Sequence, residues 1–187
     1  RTEYGFDTLV TQTDVPLDAG GPHYDRETAM GNAIGTGILA STDADVVVTN
    51  AGGIRGGATY GPNLTAGDVR ATLSFGNEVV LLEMNGSLLR ETLQSQMTTV
   101  DSTTVPGPGI TSQTAGVHFE WVPHATADQP AGEVGEGQGE IGELYVNGEP
   151  LGPNETVTVA TNAYVADGGS GYPFDLVAAE NREPLNT

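Results

Sequence analysis

The segment Val46-Val47-Val48-Thr49-Asn50-Ala51-Gly52-Gly53-Ile54-Arg55-Gly56-Gly57 joins a short apolar run to a glycine-rich loop that carries one of only six cationic side chains in the chain. Glycines let a backbone come close to a ligand and turn through positive φ, and their N–H groups can receive phosphate oxygens together with an arginine fork. The segment therefore predicts a strand that ends in an anion-binding loop. A plain turn is the alternative, because glycine-rich turns often only separate two elements.

Two further segments support the anion-binding interpretation. Val159–Tyr172 again runs a strand into a glycine loop, Asp167-Gly168-Gly169-Ser170-Gly171, which is flanked by two tyrosines. Between the two loops lies Leu73–Leu89, which begins Leu-Ser-Phe-Gly-Asn. In this order the three segments resemble the C-terminal domain of the 5'-nucleotidase family, whose members carry an Asn-x-Gly-Gly-Ile-Arg loop, a Pro-Phe-Gly/Asn segment and an aromatic-x-x-x-Gly-Gly-Asp-Gly-aromatic loop. The resemblance covers about residues 26–174.

The resemblance implies a substrate-binding role for eight residues. They are Asn50, Gly52, Gly53, Arg55, Phe75, Tyr164, Asp167 and Ser170. Asn50 and Arg55 would contact the substrate phosphate, and Gly52 and Gly53 would shape the loop. Phe75 and Tyr164 would enclose a nucleobase, since stacking contributes about 1–3 kcal/mol per base and tolerates any base.

The residue types by themselves leave other roles open. Asn50 stands at a strand end, where its side chain can instead satisfy N–H groups of the turn. Phe75 and Tyr164 can instead be core residues, although neither lies inside a clean apolar stripe.

The chain departs from the family pattern at several positions. Ser170 stands where the family usually has an Asp that accepts from ribose hydroxyls, and a serine makes a weaker, uncharged bond. Asp167 is the possible substitute for that carboxylate. Ser74 replaces the Pro before the loop phenylalanine, and Tyr24 stands where the family tends to have Arg, two residues before Arg26.

Composition excludes several classes of protein. The chain has 25 acidic and six basic residues and a net charge of −19, and all its cations are arginines. Nucleic-acid binding needs a cationic face and an anionic membrane surface would repel this charge, so we expect neither partner. An acidic, lysine-free chain is typical of adaptation to high salt, where carboxylate repulsion is screened.

Length and residue usage predict one domain with a real core and without disulfides. The chain has 187 residues and no cysteine. No stretch approaches the roughly 18 apolar residues of a membrane span. Because the sequence starts at Arg1, we expect a piece of a longer precursor, and the resemblance implies an extracellular or cell-surface location.

Periodicity predicts an α+β domain, with residues 1–25 as a linker or irregular segment and residues 26–187 as the domain. Helices are expected over Glu27–Leu39 and Thr65–Leu73, and a third from an N-cap at Ser87 to about Met97, after a tight turn at Asn85-Gly86. Strands are expected at 78–84, 117–121, 141–146 and 156–161, with a hairpin turn at Asn147-Gly148 and a mobile loop at 124–140. The resemblance refines this fold to two packed mixed sheets flanked by helices.

The metal chemistry of a 5'-nucleotidase is not visible in this sequence. Such an enzyme uses two metal ions, held by Asp, His and Asn ligands, to activate a water molecule. The chain has three histidines and neither an Asp-x-His nor a Gly-Asn-His-Glu segment. We therefore expect no catalytic and no metal-binding residue here. The two divalent metal ions are expected in an N-terminal metallophosphoesterase domain, so the chain alone is predicted to be inactive.

The sequence thus predicts the nucleotide-binding half of a 5'-nucleotidase-like hydrolase. Two alternatives remain at this point: a free-standing module that binds a nucleotide or phosphosugar without catalysis, and a salt-adapted surface domain that has lost its ligand.

Overall fold

The computed structural model describes residues 5–20, 23–100, 107–123 and 139–185. Four helices lie in these ranges: α1 (Ala29–Ser41), α2 (Ala66–Thr72), α3 (Gly86–Ser95) and α4 (Ala163–Ala166). The strands are β1 (Leu9–Gln12), β2 (Leu17–Ala19), β3 (Val46–Asn50), β4 (Ala58–Tyr60), β5 (Asn63–Thr65), β6 (Val79–Asn85), β7 (Met97–Val100), β8 (Gly107–Ile110), β9 (Ser112–Ala115), β10 (Val117–Pro123), β11 (Gly139–Val146), β12 (Glu149–Pro150), β13 (Thr156–Asn162) and β14 (Arg182–Leu185). The predicted α+β class is confirmed.

A five-stranded mixed sheet positions the two glycine loops. Its order is β14-β6-β13-β3-β9. Strands β3 and β13 are parallel neighbours, with Val46 opposite Val159, and all five residues of β3 are buried. Because the carboxyl ends of parallel neighbours lie at the same edge of a sheet, the loops that follow them meet there.

Apolar side chains from both halves of the chain form the main core. Val48 and Leu82 from the central sheet pack in one buried cluster with Leu89 and Leu93 of α3 and with Leu144 of β11. Strand β11 belongs to a second, antiparallel sheet of order β10-β11-β12. Helix α3 and this second sheet therefore share the core with the central sheet.

The small residues of α1 let it approach β9 closely. A side chain at Gly35 would place its Cβ 2.8 Å from the Cβ of Ala115, closer than real Cβ atoms come. The helix begins at Ala29, two residues later than predicted, because the Thr28 side chain caps it by accepting from the N–H of Gly31.

Helix α2 confirms its predicted start. The Thr65 side chain accepts from the N–H of Asp68, whose carboxylate accepts in turn from the N–H of Thr65, so the capping box is complete. Hydrogen bonds from Thr65 hold the pKa of Asp68 below its usual value.

The predicted start of α3 is wrong. Asn85 caps this helix, accepting from the N–H of Leu88 at 2.9 Å, and Ser87 lies inside the helix. Gly86 is buried against the carbonyl oxygen of Gly152, where a Cβ would clash. Strand β6 therefore passes directly into the helix, with no separate turn. The helix also ends earlier than predicted, at Ser95, because Met97 begins β7.

The four expected strands are present as β6, β10, β11 and β13. Asn147 and Gly148 both have positive φ and form the two-residue hairpin between β11 and β12, as predicted. Of the loop predicted at 124–140, residues 139–140 belong to β11, and residues 124–138 lie outside the described part of the chain.

The segment expected to be irregular, residues 1–25, contains two strands. Strand β1 pairs with β5 and β2 pairs with β4, and Leu17 and Ala19 are buried in a second core cluster with Met30. Strands of three or four residues are too short to show a period, so the pairing with residues 58–65 was not visible in the sequence.

Candidate functional site

A cavity of about 390 Å³ lies where the loops after β3 and β13 meet. It is lined by Tyr24, Asn50, Gly52, Gly53, Arg55, Phe75, Asn77, Tyr164 and Ser170. Seven of the eight residues singled out from the sequence are in this lining, and Asp167 is not. A larger depression of about 670 Å³ lies over β10 and β11, but its lining includes Glu120 and no arginine.

A chain of hydrogen bonds fixes the orientation of the Asn50 side chain. Asn162 caps α4 by accepting from the N–H of Val165 at 3.0 Å, and a backbone N–H can only donate. The amide nitrogen of Asn162 must therefore face the other way, where it donates to Oγ1 of Thr49 at 2.8 Å and to Oδ1 of Asn50 at 3.0 Å. With its oxygen taken, Asn50 offers its amide N–H groups to the cavity.

Side chains at Gly52 and Gly53 would crowd the Asn50 amide. A Cβ on Gly52 would lie 3.2 Å from Nδ2 of Asn50 and 3.4 Å from the hydroxyl oxygen of Tyr24, and a Cβ on Gly53 would lie 3.1 Å from Oδ1 of Asn50. The space over Gly52 is thus bordered by two hydrogen-bonding groups. A larger residue at either position would displace the Asn50 amide.

Arg55 is anchored at one end and free at the other. Its Nε donates to the carbonyl oxygen of Gly52 at 2.9 Å, and its guanidinium carbon lies 5.5 Å from the ring centroid of Phe75. No carboxylate pairs with Arg55 within the described residues. Its terminal N–H groups therefore remain available to an anion.

The two predicted stacking rings are exposed in the cavity. Phe75 is 61% exposed and Tyr164 is 52% exposed, so the alternative that both are core residues is wrong. The second tyrosine of the loop, Tyr172, is a core residue that shares a 2.8 Å hydrogen bond with Ser112. Burial raises the pKa of Tyr172 to about 12, against the lowering effect of Ser112.

The second glycine loop is held in a conformation that favours glycine. Gly168 and Gly171 have positive φ, and Ser170 has φ 59°, an uncommon value for a residue with a side chain. Gly169 lies against Tyr164, since a Cβ there would come 2.6 Å from Cε1 of its ring. The loop thereby supports the ring that faces the cavity.

Asp167, the possible substitute for a carboxylate at the Ser170 position, does not line the cavity. Its side chain is 77% exposed and lies 3.5 Å from Nη1 of Arg182, outside the lining of the cavity. Arg182 also donates to the carbonyl oxygens of Ala166 and Phe174, which joins the base of the loop to β14.

Sequence reasoning missed two residues of the lining, Tyr24 and Asn77. Tyr24 was noted only as a replacement for an Arg, and Asn77 only as part of the Phe-Gly-Asn segment. Arg26 does not reach the cavity lining: its side chain is 62% exposed and lies 3.1 Å from Oδ2 of Asp25.

Among the described residues, Arg55 is the one charged side chain that lines the cavity, in a chain of net charge −19. The cavity therefore combines a local positive charge, an oriented amide and two exposed rings. Such a set of groups can hold an anion beside a flat apolar group.

The described ranges lack the features of two other kinds of site. Residues 5–20, 23–100, 107–123 and 139–185 contain no group of three His, Asp or Glu side chains placed to hold a metal ion. No helix in these ranges combines the length and the apolar character needed to cross a membrane.

Comparison with known proteins identifies relatives over most of the chain. The family model described as 5'-nucleotidase, C-terminal domain, matches residues 10–177. The Trifunctional nucleotide phosphoesterase protein YfkN of Bacillus subtilis is 33% identical over 181 residues, which cover 93% of this chain and 12% of that protein. The chain therefore spans about an eighth of the length of that curated relative.

Solved structures show the same fold. The 5'-nucleotidase precursor of Thermus thermophilus superposes with a TM-score of 0.65 at 24% identity, over 95% of this chain and 34% of that one. The NAD nucleotidase of Haemophilus influenzae superposes with a TM-score of 0.65 at 25% identity, over 90% of this chain and 30% of that one.

Proposed function

Because this chain belongs to the family of 5'-nucleotidase C-terminal domains, we propose that it is the substrate-binding domain of a 5'-nucleotidase-like phosphate-ester hydrolase. Its substrate is a nucleotide. Arg55 and Asn50 hold the phosphate over the Gly52-Gly53 loop, and Phe75 and Tyr164 hold the base.

The observation that carries this proposal is the composition of one cavity. Arg55 has free terminal N–H groups, and Asn50 presents its amide N–H groups because Asn162 occupies its oxygen. The exposed rings of Phe75 and Tyr164 line the same cavity. A nucleotide offers a matching pair of groups, an anion and a flat base.

Hydrolysis belongs to another part of the protein in this proposal. An N-terminal metallophosphoesterase domain would hold two divalent metal ions, which would supply the activation of water, while the present domain would bind and orient the substrate. The family resemblance supports this division.

A location outside the cell or at its surface is part of the same proposal. Protease treatment of intact source cells tests this location.

Isothermal titration calorimetry with AMP and adenosine tests the phosphate site. Arg55→Ala should weaken AMP binding by about 10- to 150-fold, because it removes a charged hydrogen bond of about 1.5–3 kcal/mol, and should leave adenosine binding nearly unchanged. High salt screens this contact, so the titration belongs at the lowest salt that keeps the fold.

Arg70→Ala is a matched control for Arg55→Ala. Arg70 also lies over a ring, 5.0 Å from the centroid of Phe6, but outside the cavity lining. Its replacement should leave both affinities unchanged.

Two outcomes would refute the proposed site. In the first, Arg55→Ala lowers the affinities for AMP and adenosine equally; in the second, the wild-type chain binds neither ligand.

A phosphate-release assay in Mn²⁺ separates binding from hydrolysis. The chain alone should bind AMP and release no phosphate from it, whereas turnover that disappears in a site variant would contradict the division between domains. Glucose 1-phosphate serves as the ligand without a base: affinity equal to that of AMP would favour the phosphosugar-binding alternative.

A further inference from the structure

We propose that Tyr24 is a phosphate-binding residue of this site and donates an uncharged hydrogen bond to the phosphate beside Arg55. The inference rests on the proposed nucleotide-binding function. It adds a residue that lies before α1, in the segment that the sequence predicted to be a linker or an irregular segment.

The position of the Tyr24 hydroxyl supports this role. The side chain is 55% exposed and lines the cavity, and its hydroxyl oxygen lies 3.4 Å from the point that a Cβ on Gly52 would occupy. Nδ2 of Asn50 lies 3.2 Å from the same point. Two hydrogen-bond donors from distant parts of the chain thus border the space over Gly52, next to the Arg55 side chain.

The Tyr24 hydroxyl is free to act as a donor. It makes no hydrogen bond to any residue in the described ranges, whereas the hydroxyl of the buried Tyr172 is bonded to Ser112. Arg26, the nearby cation, does not compete for the space over Gly52, because it pairs with Asp25. A phosphate oxygen seated over Gly52 can accept from both Tyr24 and Asn50.

An uncharged donor has a particular consequence in a chain with net charge −19. Salt screens the attraction between Arg55 and a phosphate, and at molar ionic strength the screening length is only about 3 Å. A hydrogen bond between a neutral hydroxyl and a phosphate depends much less on this screening. As the salt concentration rises, the contribution of Arg55 to the affinity for phosphate therefore declines, whereas the contribution of Tyr24 persists.

Tyr24→Phe tests the proposal because it removes the hydroxyl and keeps the ring. By calorimetry, AMP should bind about 10- to 150-fold more weakly than to the wild-type chain, because a hydrogen bond to a charged phosphate is lost, and adenosine should bind equally well. The loss should be the same at about 0.5 M and about 2 M KCl, whereas the loss caused by Arg55→Ala should shrink between these concentrations.

Tyr145→Phe is the matched control. It removes a hydroxyl from a tyrosine outside the cavity lining, where the hydroxyl donates to Oε2 of Glu143. The ratio of AMP affinity to adenosine affinity should stay at the wild-type value. The same change of ratio in both phenylalanine variants would show that Tyr24 has no specific place at the phosphate and would overturn the inference.

The remaining outcomes separate this inference from the proposed function. If Arg55→Ala weakens AMP binding but Tyr24→Phe leaves it unchanged, or weakens AMP and adenosine alike, the role of Tyr24 is refuted and the proposed function stands. If the wild-type chain binds no AMP, both are refuted.

Discussion

Replacing Asn162 by Asp tests the hydrogen-bond chain that orients Asn50. A carboxylate of the same shape still accepts from the N–H of Val165, so the cap of α4 is retained. It cannot donate to Oγ1 of Thr49 or Oδ1 of Asn50, which the amide nitrogen of Asn162 reaches at 2.8 and 3.0 Å. Two oxygen acceptors would then face each other, so the Asn50 amide should rotate and present its oxygen to the cavity.

The expected loss follows from the bond that the rotation removes. A hydrogen bond to a charged group contributes about 1.5–3 kcal/mol, and a loss of about 2 kcal/mol corresponds to about 30-fold weaker AMP binding. Adenosine has no phosphate, so its affinity should not change. The rotated Asn50 amide and the Thr49 hydroxyl can both donate to the introduced carboxylate, so the free energy of unfolding should fall by no more than about 1 kcal/mol.

Calorimetry with AMP and adenosine measures the loss, and denaturant unfolding measures stability. Asn85→Asp is the control, because Asn85 caps α3 in the same way, accepting from Leu88 at 2.9 Å, and does not line the cavity. It should change neither affinity. Unchanged AMP affinity in Asn162→Asp would show that the Asn50 amide does not contact the phosphate. An equal loss of affinity for AMP and for adenosine would show that the substitution acts through α4 and Tyr164 instead.

Two further predictions concern stability. With 25 acidic residues and a net charge of −19, the domain should unfold at higher denaturant or temperature as KCl rises toward molar concentrations, because salt screens carboxylate repulsion. Circular dichroism across a KCl series measures this, and a midpoint that is flat from about 0.1 M upward would contradict it. Burial raises the pKa of Tyr172 from 10.0 to about 12, so the folded state holds this proton more tightly, and the resulting stability is present below pH 10 and is lost as the pH rises toward 12. The free energy of unfolding of the wild type and of Tyr172→Phe, measured across this pH range, checks the direction of the change. If it falls equally steeply with pH in both proteins, Tyr172 is not the cause.

Short-range signals made much of the site predictable. The loop after β3 and the loop after β13 were visible as glycines following apolar runs, because both features lie within a dozen residues. The capping box of α2 and the Asn147-Gly148 hairpin were visible for the same reason. Each of these patterns is complete within a few positions of the chain.

Errors arose where distant residues decide the local structure. Ser87 was predicted to cap α3, but the close contact of Gly86 with Gly152 moves the cap to Asn85. Strands β1 and β2 gave no periodic signal because their partners lie at residues 58–65.

The same reason accounts for the lining residues that were missed or misplaced. Asp167 stands in the right loop, but Arg182 lies beside it outside the cavity, and Tyr24 reaches Gly52 only in the folded chain. The contact of Asp167 with Arg182 and the contact of Tyr24 with Gly52 cannot be predicted from a local pattern.

The parallel pairing of β3 with β13 also determines when during folding the cavity can exist. Thr49 and Asn162, which are joined at its base, are 113 positions apart in the chain. Closing so long a loop costs entropy before any contact compensates for it, so this pairing belongs to the later steps of folding. A fragment that ends before β13 contains the first glycine loop and no cavity. A ligand of this cavity could therefore bind only to the completed domain, and its binding energy would stabilise the native state alone.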